Sequence, residues 1–433
     1  CSPSVRMAYE IVLKSGERYL FDIHAANPFL IFPWLQKIAF ESGDASSVID
    51  LSRGDPGYGF SPSQRARRFV SYLLFLDTQL NTAERRFYDQ DSNEILKKIK
   101  IFTEQSYTPD LSQELQKDFE WYLQEMEAIA ETQSIPHTIK DILSHVFGYS
   151  NVSGGNYHQA WGEPLTRAVL AHWHSRQMGQ PIDYRDILPV SGSSHAIGAI
   201  YEALGEEGIG YLKAGDPVVL FSPSYYPYVN LHLSRKLQTI MIRMDPLTGK
   251  IFQEDLEKAK KLRIKMMVVI DPNNPTGFSL SSEDQDSIAD LAEQTGALMV
   301  TDEVYHSFVP GKKSLIQHSI AGRRTIRIDS LSKIERSTGI RFGDIYITKE
   351  GEAFITSLLS SYLRKGDSIR NLLYRAKSPG GGEIGPFHHT TVIPGPSQFL
   401  GIAHILFGGE EREHFVEILR QNMKIFHETL GIT

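Results

Sequence analysis

Four short apolar runs constrain this chain more than any other feature. Pro217–Phe221 (PVVLF), Met266–Ile270 (MMVVI), Ala297–Thr301 (ALMVT) and Thr325–Asp329 (TIRID) are each followed by polar or turn-forming residues. Runs this short read as buried strands. Amphipathic stretches separate them. After the second run, Ser282 and Gln285 have capping-box spacing, Ile288, Leu291 and Ala292 mark one helix face, and Gly296 supplies a stop. Buried strands alternating with helices specify an α/β fold with a mixed, mostly parallel sheet. Ligands of such sheets bind beyond the carboxyl ends of the strands. The residues just after each run are therefore the place to look for function.

The rest of the chain divides by texture. Residues 1–60 are an N-terminal segment ending in a glycine loop, Arg53-Gly54-Asp55-Pro56-Gly57-Tyr58-Gly59. Residues 61–150 read as a helical insertion, with Leu111, Leu115, Phe119, Tyr122, Met126 and Ile129 recurring every three or four positions. Residues 151–350 hold the alternating strands and helices of a large domain, and 351–433 a smaller α+β domain. Composition narrows the partners. With a formal net charge of -7 the chain lacks the basic balance of a nucleic-acid binder. No apolar run approaches the roughly 18 residues of a membrane span. The single cysteine, Cys1, excludes an internal disulfide and a cysteine-built zinc or iron–sulfur site. No secretory leader pattern opens the sequence, so a cytoplasmic location is expected.

Each strand end delivers polar or aromatic groups. PVVLF leads to Ser222-Pro223-Ser224-Tyr225-Tyr226-Pro227-Tyr228; MMVVI to Asp271-Pro272-Asn273-Asn274-Pro275-Thr276-Gly277; ALMVT to Asp302-Glu303-Val304-Tyr305; and TIRID to Ser330-Leu331-Ser332-Lys333, with Arg341 eight residues on. Upstream, Ser191-Gly192-Ser193-Ser194 precedes an apolar helix over Ala196 to Leu204. Gly192, Ser193 and Ser194 put amides and hydroxyls at a helix N-terminus, and Ser330 and Arg341 add a hydroxyl and a bidentate cation, which together suit a phosphate. Tyr225 offers a face for a flat ring, Asp302 a carboxylate for a protonated ring nitrogen, and Lys333 an amine able to form a Schiff base. A phosphate, a basic ring and an aldehyde in one molecule describe pyridoxal 5′-phosphate (PLP).

Residues from Arg53 to Gly343 resemble the fold-type I, aspartate-aminotransferase superfamily of PLP enzymes. The resemblance implies that Lys333 is the Schiff-base lysine and general acid/base, and that Asp302 pairs with the pyridine nitrogen. It implies that Asn274 and Tyr305 hydrogen-bond the phenolic oxygen, that Tyr225 stacks on the ring, and that Tyr228 supports the aspartate. Gly192, Ser193, Ser194, Ser330 and Arg341 would take the phosphate. Tyr157 matches a tyrosine lent to a neighbouring subunit's phosphate, which implies a homodimer or larger homo-oligomer with shared active sites. The substrates implied are an amino acid and a 2-oxo acid.

Within the superfamily, the helical block between Arg53 and Tyr157, which lie 104 residues apart, resembles the aspartate 4-decarboxylases. So do Gly210-Tyr211-Leu212-Lys213-Ala214-Gly215-Asp216 and Pro394-Gly395-Pro396-Ser397-Gln398. That likeness implies aspartate transamination, β-decarboxylation of L-aspartate to alanine, or both, with Arg53 and Gly54 near the substrate. The resemblance puts the arginine for the substrate α-carboxylate beyond residue 433, so either the small domain over 351–433 is incomplete or this protein holds its substrate differently. Ile340, where relatives carry a bulkier residue, and the unmatched stretch Arg375–His389 leave open β- or γ-elimination, replacement or cyclisation on a specialised amino acid. A non-catalytic PLP-sensing module is a third reading, disfavoured by the presence of Lys333 and by the lack of a basic helix-turn-helix. His158, His195 and His306 flank these motifs and read as packing histidines.

Overall fold

The computed structural model describes residues 8–12, 18–22, 63–80, 91–149, 162–245, 248–374 and 393–430. The chain forms two compact units, Cys1–Pro56 and Gly57–Thr433. In the first, β1 (Ala8–Val12) and β2 (Arg18–Asp22) pair antiparallel, with Ala8 opposite Asp22.

The second unit is built on a seven-stranded sheet. Its strands are β3 (Ile187–Val190), β4 (Pro217–Ser222), β5 (Gln238–Arg243), β6 (Met266–Ile270), β7 (Leu298–Asp302), β8 (Thr325–Ser330) and β9 (Gly343–Tyr346). They lie in the order β3-β9-β8-β7-β6-β4-β5, and only the pairs of β9 are antiparallel. This is the mixed, mostly parallel sheet expected. Helices α1 (Gln64–Leu80), α2 (Ser92–Ser106), α3 (Pro109–Thr132), α4 (Ile139–Ser144) and α5 (Pro164–Met178) precede it. Between strands run α6 (Ser193–Leu204), α7 (Tyr226–Ser234), α8 (Gln253–Ala259), α9 (Ser282–Thr295) and the single turn α10 (Leu331–Ile334). After β9 come α11 (Lys349–Leu358), α12 (Ile369–Tyr374), α13 (Gly395–Phe407) and α14 (Gly409–Leu430).

Strands β6, β7 and β8 are buried at every residue; β6 and β7 accordingly open as apolar runs, whereas β8 alternates Ile326 and Ile328 with the buried charges Arg327 and Asp329. Alternation persists in which layer each side chain joins. Met266, Val268, Ile270, Leu298, Val300 and Ile328 pack with Ala196, Ile200 and Tyr201 of α6. Met267, Val269 and Met299 pack with Leu256 of α8 and with Ile288, Leu291 and Ala292 of α9. A third core joins Phe69 of α1, Phe119 and Tyr122 of α3, Leu170 of α5, and Phe399 and Ile402 of α13. The Phe69 ring lies 5.2 Å from that of Tyr122 and 4.5 Å from that of Phe407. Each fully buried side chain of this kind contributes about 1.5–3 kcal/mol relative to exposure. Among the described residues no helix is long and apolar enough to cross a membrane.

Local details depart from the sequence expectations in instructive ways. The capping box of α9 is Ser281 with Asp284, one residue earlier than Ser282 with Gln285. Ser281 has the extended backbone an N-cap requires, and an acid at Asp284 also meets the positive helix end. Gln285 turns aside to donate to the Lys313 carbonyl. Gly296, with φ of 74°, ends the helix as expected. The ALMVT strand begins one residue later and runs through Asp302, and the TIRID strand includes Ser330.

One charged side chain crosses the apolar interior. Arg327 of β8 is fully buried and donates to Glu303 at 2.7 Å and to Asp329 at 2.8 Å. His174 of α5 lies 3.3 Å from Arg327 Nη1 through Nδ1 and 3.0 Å from both carboxylate oxygens of Asp344 through Nε2. Arginine can only donate, so His174 Nδ1 accepts and Nε2–H is shared with Asp344. Each buried charge thus has a partner, the condition under which such groups are tolerated.

Candidate active site

The register of the sheet gathers the strand ends. Val190 faces Gly343, Gly343 faces Ser330, and Asp302 lies between Ile270 and Ile328. Gly192 sits just beyond β3 with φ of 75°, a conformation glycine adopts without the Cβ penalty, and it caps α6. The amides of Ser193 and Ser194 have no hydrogen-bond partner among the described residues. Ser193 is half-buried and Ser194 exposed. The Arg341 guanidinium closes over this helix start, Nη1 donating to the Thr338 carbonyl at 3.0 Å and Nη2 to the Ser191 carbonyl at 3.4 Å. A Cβ on Gly192 would stand 2.6 Å from Arg341 Nη2. Two open amides at a helix N-terminus, a hydroxyl and a guanidinium make a cradle that a side chain at 192 would fill, and it fits a phosphate dianion.

This cradle gives a direct prediction. Gly192→Ala adds a Cβ where φ is positive and displaces the Arg341 guanidinium. PLP affinity is expected to fall about tenfold, the equivalent of ~1.4 kcal/mol. Equilibrium titration of the apo chain with PLP measures it, and an unchanged affinity would remove the cradle from cofactor binding.

Ser330 stands beside the cradle, but its hydroxyl is buried and engaged. It accepts the Ser332 amide as the N-cap of α10, lies 2.9 Å from Ser332 Oγ, and lies 3.1 Å from the Phe342 carbonyl. A phosphate would be met only by exchanging one of those bonds. Lys333 is the third residue of α10 and is half-buried.

The residues expected to meet the ring follow three other strand ends. Asp302 ends β7, and the Tyr228 hydroxyl donates to its Oδ2 at 2.9 Å. Burial raises the Asp302 carboxyl to about 6, against the pull of the Tyr228 hydrogen bond. Tyr225 caps α7, with its ring 6.3 Å from that of Tyr228. Burial raises its pKa, and the Asp302 charge raises it further while Arg341 opposes. Tyr305 is pushed up to about 12, first by burial and then by the charges of Asp302 and Tyr225. Asn274 is half-buried in the loop after β6 and makes no hydrogen bond among the described residues. Its neighbour Asn273 does the structural bonding, donating to the Pro223 carbonyl and accepting from Thr276.

Arg53, Gly54, Tyr157 and His158 lie outside the described residues, as does the stretch from Arg375 to His389. His195 Nδ1 accepts the Ser191 amide at 3.1 Å, and burial lowers its pKa. His306 is buried beside Glu303, with Nδ1 3.7 Å from Oε2. Sequence reasoning passed over Asn273, Lys312 and the network around Arg327. An arginine and two aspartates in or beside the TIRID and Gly343–Tyr346 strands were the available signal, since charge inside a buried run demands partners.

The family model for aminotransferase class I and II matches residues 131–376, more than half of the chain. The chain belongs to the class I and II aminotransferase family. PLP is the cofactor of this family and of this chain. The bifunctional aspartate aminotransferase and L-aspartate beta-decarboxylase of a Pseudomonas species is 27% identical over 266 residues, 58% of this chain and 49% of that protein. The aspartate aminotransferase of Sulfolobus acidocaldarius is 28% identical over 199 residues, 45% of this chain and 48% of that protein. Among solved structures, an alanine aminotransferase from Pyrococcus furiosus superposes with a TM-score of 0.51 at 21% identity, covering 65% of each chain, which supports the fold. This aminotransferase-family chain spans about half the length of the curated relatives it matches.

Proposed function

We propose that this chain is a PLP-dependent enzyme acting on an amino acid through Lys333, with aspartate transamination, β-decarboxylation of L-aspartate to alanine, or both as its reaction. The observation that carries the reading is the convergence of the Gly192–Arg341 cradle, the buried Tyr228–Asp302 pair and Lys333 at one edge of the sheet. When bound, PLP supplies an electron sink for charge developing at the substrate Cα. The residues supply the rest. Gly192, Ser193, Ser194 and Arg341 hold the phosphate, with Ser330 at its margin. Asp302 keeps a proton on the ring nitrogen, where its carboxylate is held by Tyr228. Tyr225 covers one ring face, and Asn274 and Tyr305 hydrogen-bond the phenolic oxygen. The Lys333 amine anchors the cofactor and, once released by substrate, takes and returns the Cα proton. Arg53 and Gly54 are the proposed substrate contacts. A second copy of the chain, with Tyr157 reaching its phosphate, is the proposed partner.

The decarboxylase branch draws support from the bifunctional relative and from the helical block the notable Arg53–Tyr157 spacing encloses. A salt bridge to the distal carboxylate would keep that group in place and favour transamination. A less charged contact would favour its loss as CO2. The test incubates the PLP-loaded full chain with L-aspartate, with and without a 2-oxo acid, and follows products by NMR. Alanine formed without an acceptor supports decarboxylation, and oxaloacetate formed only with an acceptor supports transamination. Aspartate left unchanged with PLP bound would overturn the aspartate reading and turn the search to a specialised amino acid.

A further inference from the structure

Lys312 and Asp271 form a buried ion pair to which the roles above assign nothing. Their side chains are 7% and 1% exposed, and Lys312 Nζ lies 2.9 Å from Asp271 Oδ2. The same ammonium donates to the Leu280 carbonyl at 2.8 Å, and Asp271 Oδ1 accepts the Leu280 amide at 3.0 Å. One cation therefore closes the neck of the 271–280 loop by holding both of its ends.

That loop carries Asn274. Inside it, the Asn273 amide donates to the Phe278 carbonyl at 2.8 Å, the Gly277 amide donates to the Asn273 carbonyl at 2.8 Å, and Thr276 bonds the Asn273 side chain. The closed neck and these internal bonds tie the loop together. Lys312 belongs to the other loop, seven residues beyond Tyr305. Its own amide donates to the Val309 carbonyl, the carbonyl of Lys313 accepts from Gln285, and Ser314 Oγ donates to Glu303, the neighbour of Asp302. The 302–314 loop is thus anchored at both ends, and Lys312 is its bond to the loop of Asn274.

A buried ion pair adds little net stability, because desolvation offsets the attraction. Its best-attested use is to fix the register of the parts it joins. We propose that Lys312 is a positioning residue, which through Asp271 and Leu280 sets the Asn274 loop against the Tyr305 loop and so aligns the two side chains on the cofactor's phenolic oxygen. The inference rests on the PLP reading above. Hydrogen bonds to that oxygen favour its ionised form, so misplacing Asn274 makes the oxygen harder to ionise.

The experiment titrates the visible absorption of the PLP-loaded full chain against pH, for the parent, Lys312→Met and Lys312→Arg. Lys312→Met is expected to raise the spectral midpoint by about one unit, a tenfold change in the ionisation constant. Lys312→Arg, which keeps the charge, is expected to return it most of the way. Should Lys312→Met fail to fold, the double variant Asp271→Asn/Lys312→Met removes both charges together and is expected to show the same rise. A lowered thermal midpoint with an unmoved spectral midpoint would overturn the inference, leaving Lys312 a purely structural residue. Absence of any lysine-bound PLP band in the parent would instead overturn the PLP reading, and the inference with it.

Discussion

Replacing Lys333 with alanine is expected to abolish the visible band of lysine-bound PLP and to lower turnover at least about 10³-fold. Lys333 lies one turn beyond the end of β8, three residues after the Ser330 cap of α10 and eight before Arg341. Lys312, by contrast, is held by Asp271 and Leu280. Lys333→Arg separates charge from chemistry, because a guanidinium stays protonated and forms no Schiff base under these conditions. It should be as inactive as the alanine variant while keeping the fold. Absorption spectra and turnover on the same preparations check both variants. Full turnover in either would remove Lys333 from the chemistry.

Asp302→Asn is expected to lower turnover on the order of 10³-fold, since the amide cannot hold a proton on the ring nitrogen by charge. The same substitution should have the opposite effect on the stability of the chain without PLP, and only above acid pH. Burial raises Asp302 to about 6 in the folded chain, against about 3.9 unfolded. Below about 4 both states carry the neutral acid. As pH rises from about 4 to about 6, the unfolded carboxyl loses its proton first, so the parent loses stability through that window. Above about 6 the fold bears a desolvated carboxylate at a cost on the order of 3 kcal/mol. Asp302→Asn should therefore be more stable than the parent at pH 7 and equal to it near pH 4. Denaturant melts of the cofactor-free proteins at the two pH values measure the difference. Identical pH profiles would show that the carboxyl is not raised.

The sheet was legible because β6 and β7 are buried on both faces, and the apolar runs MMVVI and ALMVT are the direct consequence of that burial. The direction of β9 was not, because Gly343–Tyr346 is too short for its pattern to distinguish antiparallel from parallel. Site motifs stood out for a related reason: each follows a strand, so the α/β rule locates them before any contact is known. Which asparagine of the pair bonds within its loop could not be read from sequence, since Asn273 and Asn274 are chemically identical and only the loop geometry separates them. The Lys312–Asp271 pair spans two loops and has no local signature. Arg327 was hidden by its setting, a cation in a short buried strand whose partners are Asp329 of the same strand, Glu303 just past β7 and His174 of α5.

The latch at His174 has a consequence for dissecting the protein. A fragment beginning at residue 185 and ending at 374 would contain every residue proposed to meet the cofactor apart from Tyr157, yet it would lack α5 and therefore His174. Arg327 and Asp344 would each lose a partner, on the two adjacent strands whose register sets Ser330 against Gly343. The phosphate cradle is thus assembled from one stretch of sequence but held in shape by a helix that precedes it, and a piece cut to include only the former carries the residues without the means of arranging them.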